Sequence, residues 1–184
     1  QIVLMPTTNS AYGTGDEDNF CDEKSPLRPI SQYAREKVEI EARLLEHRNA
    51  VSLRLATVFG MSPRMRIDLL VNDFVYRAVH DSCVVLFESG FRRNYIHVRD
   101  VRGAFIHTLA NFDVMKGEIY NVGLSEANIS KKDLCEKIRH QLPKFCFVDA
   151  PIGHDPDQRN YVVSNKKIES TGFQTEVSLE SGIS

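Results

Sequence analysis

The stretch "SQYAREKVEIEARLLEHRNAVSLRLATVFG", residues 31–60, decides the fold class. Its first half places Ala34, Val38, Ala42 and Leu45 at helical spacing behind Ser31, a side chain suited to an N-cap, with Pro29 just outside. Its second half, "AVSLRLATVFG", is apolar and β-branched and stops at Gly60, so it reads as a strand. Upstream, "IVLM" reads as a short buried strand ended by Pro6. Residues 6–28, rich in Gly, Asp, Asn, Ser and Thr, read as loop. Strand, loop, helix and strand in that order are the repeating unit of an α/β protein.

The rest of the chain continues the alternation. Helical periodicity is expected in "MRIDLLVNDFVYRAVH" (65–80), "RDVRGAFIHTLANF" (99–112) and "SKKDLCEKIRHQL" (130–142), the last capped by Ser130. Short strands are expected in "CVVLF" (83–87), "NYIHV" (94–98), "GEIYNVG" (117–123) and "KFCFVDA" (144–150). "SNKKIESTGF" (164–173) reads as a short helix stopped by Gly172, and "SLESGIS" (178–184) as the opening of another. The alternation predicts a mainly parallel sheet with right-handed crossovers.

Bulk properties narrow the function. The 184 residues suit one substantial core, and 42% hydrophobic with 26% charged residues is an ordinary globular balance. The net charge of -2 and the lack of a Lys/Arg block argue against a nucleic-acid partner. No apolar run approaches the ~20 residues of a membrane span, and no signal peptide is visible. The four cysteines are scattered, with no Cys-x-x-Cys pair and no nearby His at ligand spacing. No metal site is therefore expected, and a reduced, cytoplasmic protein is the simplest reading.

Within the leading stretch, Tyr33 and Lys37 stand four residues apart and so share one helical face. A tyrosine hydroxyl ordinarily titrates near ~10, and a neighbouring ammonium favours the phenolate. Such a pair suits proton exchange with a substrate hydroxyl, as a carbonyl–alcohol interconversion requires. On spacing alone, an exposed Lys beside a half-buried Tyr is the simpler reading, because Tyr-x-x-x-Lys often occurs by chance. The hydroxyls of "PTTNSAYG" (6–13) add weight, because they follow a buried strand, where open α/β sheets place ligands.

"PTTNSAYG", the Tyr-x-x-x-Lys pair, "LRLATVFG", "RRNYIHVRDV" and "YNVG" occur in an order that resembles the NAD-dependent epimerase/dehydratase family. This is the nucleotide-sugar-modifying branch of the extended short-chain dehydrogenase/reductases. The resemblance covers nearly the whole chain. It implies the C-terminal part of a Rossmann-like parallel sheet with helices on both faces, plus a smaller mixed α/β substrate-binding domain. Residues 1–60 would be a partial dinucleotide-binding domain carrying the catalytic residues. Residues 61–184 would be mainly substrate-binding, with 94–123 packing back on the first part.

The resemblance also assigns roles. Thr8, four residues before Tyr12, would hydrogen-bond the reacting oxygen and orient it against Tyr33, the acid/base. Lys37 would hold the nicotinamide ribose and lower the Tyr33 pKa. The family's dehydratases carry acidic residues directly after the Thr; here Asn9 and Ser10 stand there, and neither is a proton-transfer group at neutral pH. These are expected near the substrate, or as turn residues bonded to their own backbone. That leaves an epimerase, with a keto-sugar reductase as the alternative in the same class. A non-catalytic substrate-binding or scaffold fragment is the alternative of another class.

The implied substrate is a nucleoside-diphosphate sugar, and arginine's planar fork suits its phosphates. "RRNYIHV" resembles a family motif that puts Arg93 on the diphosphate, with Asn94 replacing an Asp and His97 read as packed structure. "DPDQRNYVVSNKKI" resembles a later motif that adds Arg159, whose plainer reading is a salt bridge with Asp155 or Asp157. Thr57 and Asn72 are expected at the substrate, and Arg64 and Arg66 are further possibilities. The implied cofactor is NAD or NADP. The sequence lacks the Gly-rich strand-to-helix turn that cradles a pyrophosphate, since Gly13 and Gly15 follow the catalytic Thr instead. The expectation is therefore a homo-oligomer, such as a dimer, or a chain needing a missing N-terminal segment.

Overall fold

The computed structural model describes residues 1–14, 20–154 and 158–184. Gly15, Asp155 and Asp157 lie outside these residues. The elements run in chain order as β1 (Val3–Thr8), β2 (Phe20–Cys21), α1 (Gln32–Leu45), β3 (Ala50–Leu55), β4 (Thr57–Phe59), α2 (Leu70–His80), β5 (Cys83–Leu86), β6 (Arg92–His97) and α3 (Val98–Ala110). There follow α4 (Phe112–Met115), β7 (Ile119–Val122), β8 (Asn128–Ser130), α5 (Lys131–Gln141), β9 (Cys146–Asp149), β10 (Val162–Val163), α6 (Lys166–Glu169) and α7 (Leu179–Gly182). The protein is α/β, as expected.

The sheet that organises the N-terminal half is parallel, in the order β1-β3-β7. Pro6 does not end the first strand but sits inside it, opposite Leu53. Among the described residues β1 is the outer strand of this sheet, a place where a residue without an N–H is tolerated. The run "AVSLRLATVFG" is two strands, not one. At Ala56 the chain leaves the first sheet, and β4 pairs instead with β6 in a second sheet of order β4-β6-β8. Gly60 closes this run at φ 104°, and a Cβ there would lie 2.2 Å from the His97 ring. The expected helix from residue 65 begins only at Leu70; Arg66 and Asn72 tie the loop before it, through Asn72 Nδ2 on the Arg66 carbonyl at 2.9 Å. The paired segments β2 and β10, two residues each, and strand β8 carry too little pattern to be read from sequence.

Among the described residues three apolar clusters hold these pieces. One lies over the first sheet and joins Val51, Leu53, Tyr120 and Val122 to Ala104, Met115 and Ile168 from helices α3, α4 and α6. A second packs α2, β5, β6 and α5 through Phe74, Leu86, Tyr95, Leu134 and Ile138. A third, smaller one joins Tyr12 to Tyr161 and Val163.

Helix α1 covers the other face of the first sheet and begins where expected, with Ser31 Oγ accepting from the Ala34 N–H at 3.2 Å. Its buried stripe differs from the apolar one: Ala34 and Glu41 are buried, whereas Ala42 is exposed. Glu41 can turn inward because partners await it. Arg54 donates to both its oxygens, at 2.5 Å from Nη2, and Ser52 Oγ and Thr7 Oγ1 donate at 2.6 and 3.1 Å. The same arginine donates to Tyr12 Oη at 2.9 Å, and Tyr12 donates to Asn121 Oδ1 at 2.7 Å. Burial pulls Arg54 down, but Glu41 and Tyr12 outweigh it and hold the guanidinium charged. Among the described residues no helix is long and apolar enough to cross a membrane.

Candidate active site

The site forms at the C-terminal end of β1, where the chain turns. Thr8 ends the strand and caps a single 3-10 turn over Asn9–Tyr12, its Oγ1 accepting from the Ser10 N–H at 3.1 Å. The Thr8 hydroxyl also donates to Ser10 Oγ at 3.0 Å, and Arg159 donates to that same oxygen. The turn ends at Gly13, φ 67°, where a Cβ would sit 2.0 Å from the Arg28 carbonyl oxygen. A small hydroxyl-rich turn is thus fixed in place, with Thr8 on its inner side.

Helix α1 brings the second half. Tyr33 lies in its first turn and is 54% exposed. Lys37, one turn later, donates from Nζ to the Pro6 carbonyl at 3.1 Å and lies 5.8 Å from the Tyr33 ring centroid. The proline inside β1 therefore anchors the lysine through its carbonyl. Thr8, Ser10, Tyr33, Lys37, Thr57 and Arg159 line one open cleft of about 700 Å³. Arg66 and Tyr161 line it too, and Arg66 stands close enough to Tyr33 for the two to interact electrostatically. Asp68, bonded to Arg66, is what chiefly raises that guanidinium above its ordinary value.

Other expected residues are elsewhere. Asn72 is buried and does not line the cleft; it accepts from the Gly60 N–H at 3.0 Å and donates to the Arg66 carbonyl, so its amide is spent on backbone. Arg93 is buried in β6, off the cleft wall. Asn9 faces inward and is fully buried, and its amide has no hydrogen-bond partner among the described residues. His97 caps α3 through Nδ1, which accepts from the Arg99 N–H at 3.2 Å, and packs edge-on against Phe59. Burial pushes its pKa below the ordinary value. Asn94 donates to the Leu124 carbonyl at 2.7 Å and accepts from Asn165, holding the end of β7 in place.

Tyr161 and the Glu41–Arg54–Tyr12 network escaped the sequence reading. In the sequence each charge looks like a surface one, and the only trace of Tyr161 is its place two residues after Arg159. The donors in the cleft fit a cofactor ribose. Lys37 has three N–H groups and gives one to Pro6, so it has donors to spare in the cleft beside the exposed Tyr33.

The sheet is parallel and Rossmann-like, and Thr8, Tyr33 and Lys37 line one cleft at the end of β1. Residues 2–123 match the NAD dependent epimerase/dehydratase family, and the chain belongs to it. A putative UDP-glucose 4-epimerase from Methanocaldococcus jannaschii is 26% identical over 196 residues, covering 100% of this chain and 60% of that protein. An uncharacterised protein of Schizosaccharomyces pombe is 22% identical over 212 residues, covering 96% and 58%. The chain thus spans about six-tenths of the length of the curated relatives it matches. Among solved structures, the UDP-glucose 4-epimerase of Thermus thermophilus in complex with NAD superposes with a TM-score of 0.83 at 27% identity, over 100% of this chain and 61% of that one. The UDP-glucuronic acid 4-epimerase of Bacillus cereus, in complex with UDP-glucuronic acid and NAD, shares the fold with a TM-score of 0.84 at 21% identity, over 98% and 58%.

Proposed function

We propose that this chain carries the catalytic and substrate side of an NAD(P)-dependent nucleotide-sugar epimerase. The observation that carries the reading is the single cleft that gathers Thr8, Tyr33 and Lys37 with Arg159 at its edge. Tyr33 takes the proton of a sugar hydroxyl and returns it. Thr8 holds the reacting oxygen toward Tyr33, exchanging its present bond to Ser10 for one to the sugar. Lys37, held by Pro6, stands beside the tyrosine and offers its remaining donors to the ribose. A bound nicotinamide supplies the hydride acceptor and donor. Arg159 supplies the charge for a diphosphate, and Thr57 and Ser10 line the sugar space.

Neither residue after Thr8 is an acid: Ser10 is spent on Thr8 and Arg159, and Asn9 is buried. Dehydration therefore lacks its proton donors. The epimerase reading is preferred to keto-reduction because two similar proteins carry UDP-glucose 4-epimerase in their names. We read residues 1–60 as the cofactor side and 61–184 as mainly the substrate side, with the pairing of β7 to β3 supporting the return of 94–123.

Titration of the chain with a uridine diphosphate hexose, wild type against Tyr33→Phe and Arg159→Ala, tests the reading. Tyr33→Phe should bind the sugar nucleotide as wild type does but give no hydride exchange with added NAD. Arg159→Ala should weaken binding at least tenfold. Full hydride exchange by Tyr33→Phe, or wild-type affinity in Arg159→Ala, overturns it.

A further inference from the structure

The parallel pair β5–β9 lies away from the cleft, and its register sets Cys83 directly opposite Cys146 and Val85 opposite Val148. Opposed residues in a parallel pair project to the same face, and burial identifies that face as the outer one. Val84 and Leu86 are buried in the core beneath, while Val85 and Val148 are 58% and 56% exposed. Cys146 is exposed and Cys83 half-buried, and both are free thiols. Neighbouring strands lie about 4.8 Å apart, inside the about 4.4–6.8 Å Cα separation that a disulfide spans. The Cys146 N–H donates to the Ser82 carbonyl at 2.9 Å, pinning the ladder immediately beside the two sulfurs.

The two thiols interact. The neighbouring Cys146 sulfur, and then burial, push the Cys83 thiol above its ordinary value. The other two cysteines are different: Cys21 and Cys135 are buried, and burial pushes Cys135 up to about 12. No group of three or more His, Cys, Asp or Glu among the described residues is arranged to hold a metal. Among the described residues the pair stands as a dithiol.

We propose that Cys83 and Cys146 form a redox-modification site, a dithiol that closes to an intrachain disulfide with low-molecular-weight disulfides of the glutathione class as oxidant. Cys146, the more exposed, attacks as thiolate on one sulfur of glutathione disulfide, forming a mixed disulfide and expelling one glutathione thiolate. The Cys83 thiol gives up its proton to solvent and attacks the Cys146 sulfur, expelling the second glutathione. The protein loses two electrons and two protons, and one glutathione disulfide becomes two glutathiones. The bond ties the turn after α2 to the turn after α5, linking segments far apart in the chain. It leaves the cleft residues untouched, so the inference is independent of the proposed function.

The test is to treat the whole chain with excess glutathione disulfide, alkylate the remaining thiols, and map peptides by mass spectrometry. The expected result is a monomeric species with Cys83 joined to Cys146, reversed by dithiothreitol, with Cys21 and Cys135 alkylated only after unfolding. Cys83→Ser should instead accumulate a glutathione adduct on Cys146, because the resolving thiol is gone. Glutathione adducts persisting on both cysteines of the wild type, disulfides between chains, or an unreacted pair each overturn the proposal.

Discussion

Strand β3 presents Val51 and Leu53 to one side and Ser52 and Arg54 to the other, and all four side chains are buried. On the first side the partners are Ala104, Met115 and Ile168, apolar and non-directional. On the second side the partner is helix α1, and the contact is a hydrogen-bonded ion pair with Thr7, Ser52 and Tyr12 attached. Strands buried on both faces usually read as continuous apolar runs. The departure falls under the helix that carries Tyr33 and Lys37. Apolar contacts tolerate small slides and rotations, whereas a carboxylate gripped by a guanidinium fork accepts one geometry. The apolar face thus contributes stability, and the polar face fixes where α1 sits relative to Thr8. Glu41 is one turn beyond Lys37, so its anchor sets the lysine's height above Pro6.

The largest effect should come from Glu41→Ala. Arg54 would remain buried with its charge uncompensated, and breaking such a pair costs about 3–5 kcal/mol. The matching change on the other face, Leu53→Ala, leaves a cavity and should cost about 3 kcal/mol, within the range for buried leucines. Urea denaturation of both variants measures the difference. If Glu41→Ala costs less than Leu53→Ala, the ion pair is not the anchor described.

Tyr12 gives the next effect, and it is a dependence on pH. Burial pushes its hydroxyl up to about 12, with Arg54 and Asn121 pulling the other way. The unfolded tyrosine ionises near ~10. Below that pH both states hold the proton and the contribution is complete. Between roughly 10 and 12 the unfolded state releases its proton first, so stability falls as pH rises, by on the order of 2–3 kcal/mol in all. Tyr12→Phe removes this contribution and, near neutral pH, costs about 1–3 kcal/mol because Arg54 and Asn121 lose their partner. Stability measured against pH for the two proteins should show the shallower alkaline decline in Tyr12→Phe. Parallel curves would contradict the assignment.

The legible parts of the molecule are those with local periodicity. Helix α1, its Ser31 cap and the β1–α1–β3 order follow from spacing alone, and Thr8, Tyr33, Lys37, Ser10, Thr57 and Arg159 meet at one cleft. Asn72 satisfies the backbone of its own loop with its amide, which only the folded path reveals. Arg93 is buried in β6, and the alternation around it does not say which neighbours will cover it. The break at Ala56 was hidden because both halves of the run are apolar, and a change of sheet partner leaves no trace in hydrophobicity. Glu41 and Arg54 were hidden for the opposite reason. Each looks like a surface charge until the other is placed 2.5 Å away.

The smallest effect tests whether α1 is held at one end or at two. Ser31 Oγ accepts from the Ala34 N–H, and the Ser31 carbonyl accepts from Arg35 at 3.1 Å. The first turn has no acidic residue to complement the helix dipole, so the cap alone serves those donors. Ser31→Ala should cost about 1 kcal/mol, and Ser31→Asp should restore or slightly exceed the wild-type value. Hydrogen exchange locates the loss. If Glu41 anchors the far end independently, the amides of Ala34 and Arg35 should exchange faster in Ser31→Ala while those near Glu41 keep their protection. Equal acceleration along the whole helix would mean that α1 opens as one unit. Tyr33 would then owe its position to the same buried ion pair that holds Lys37.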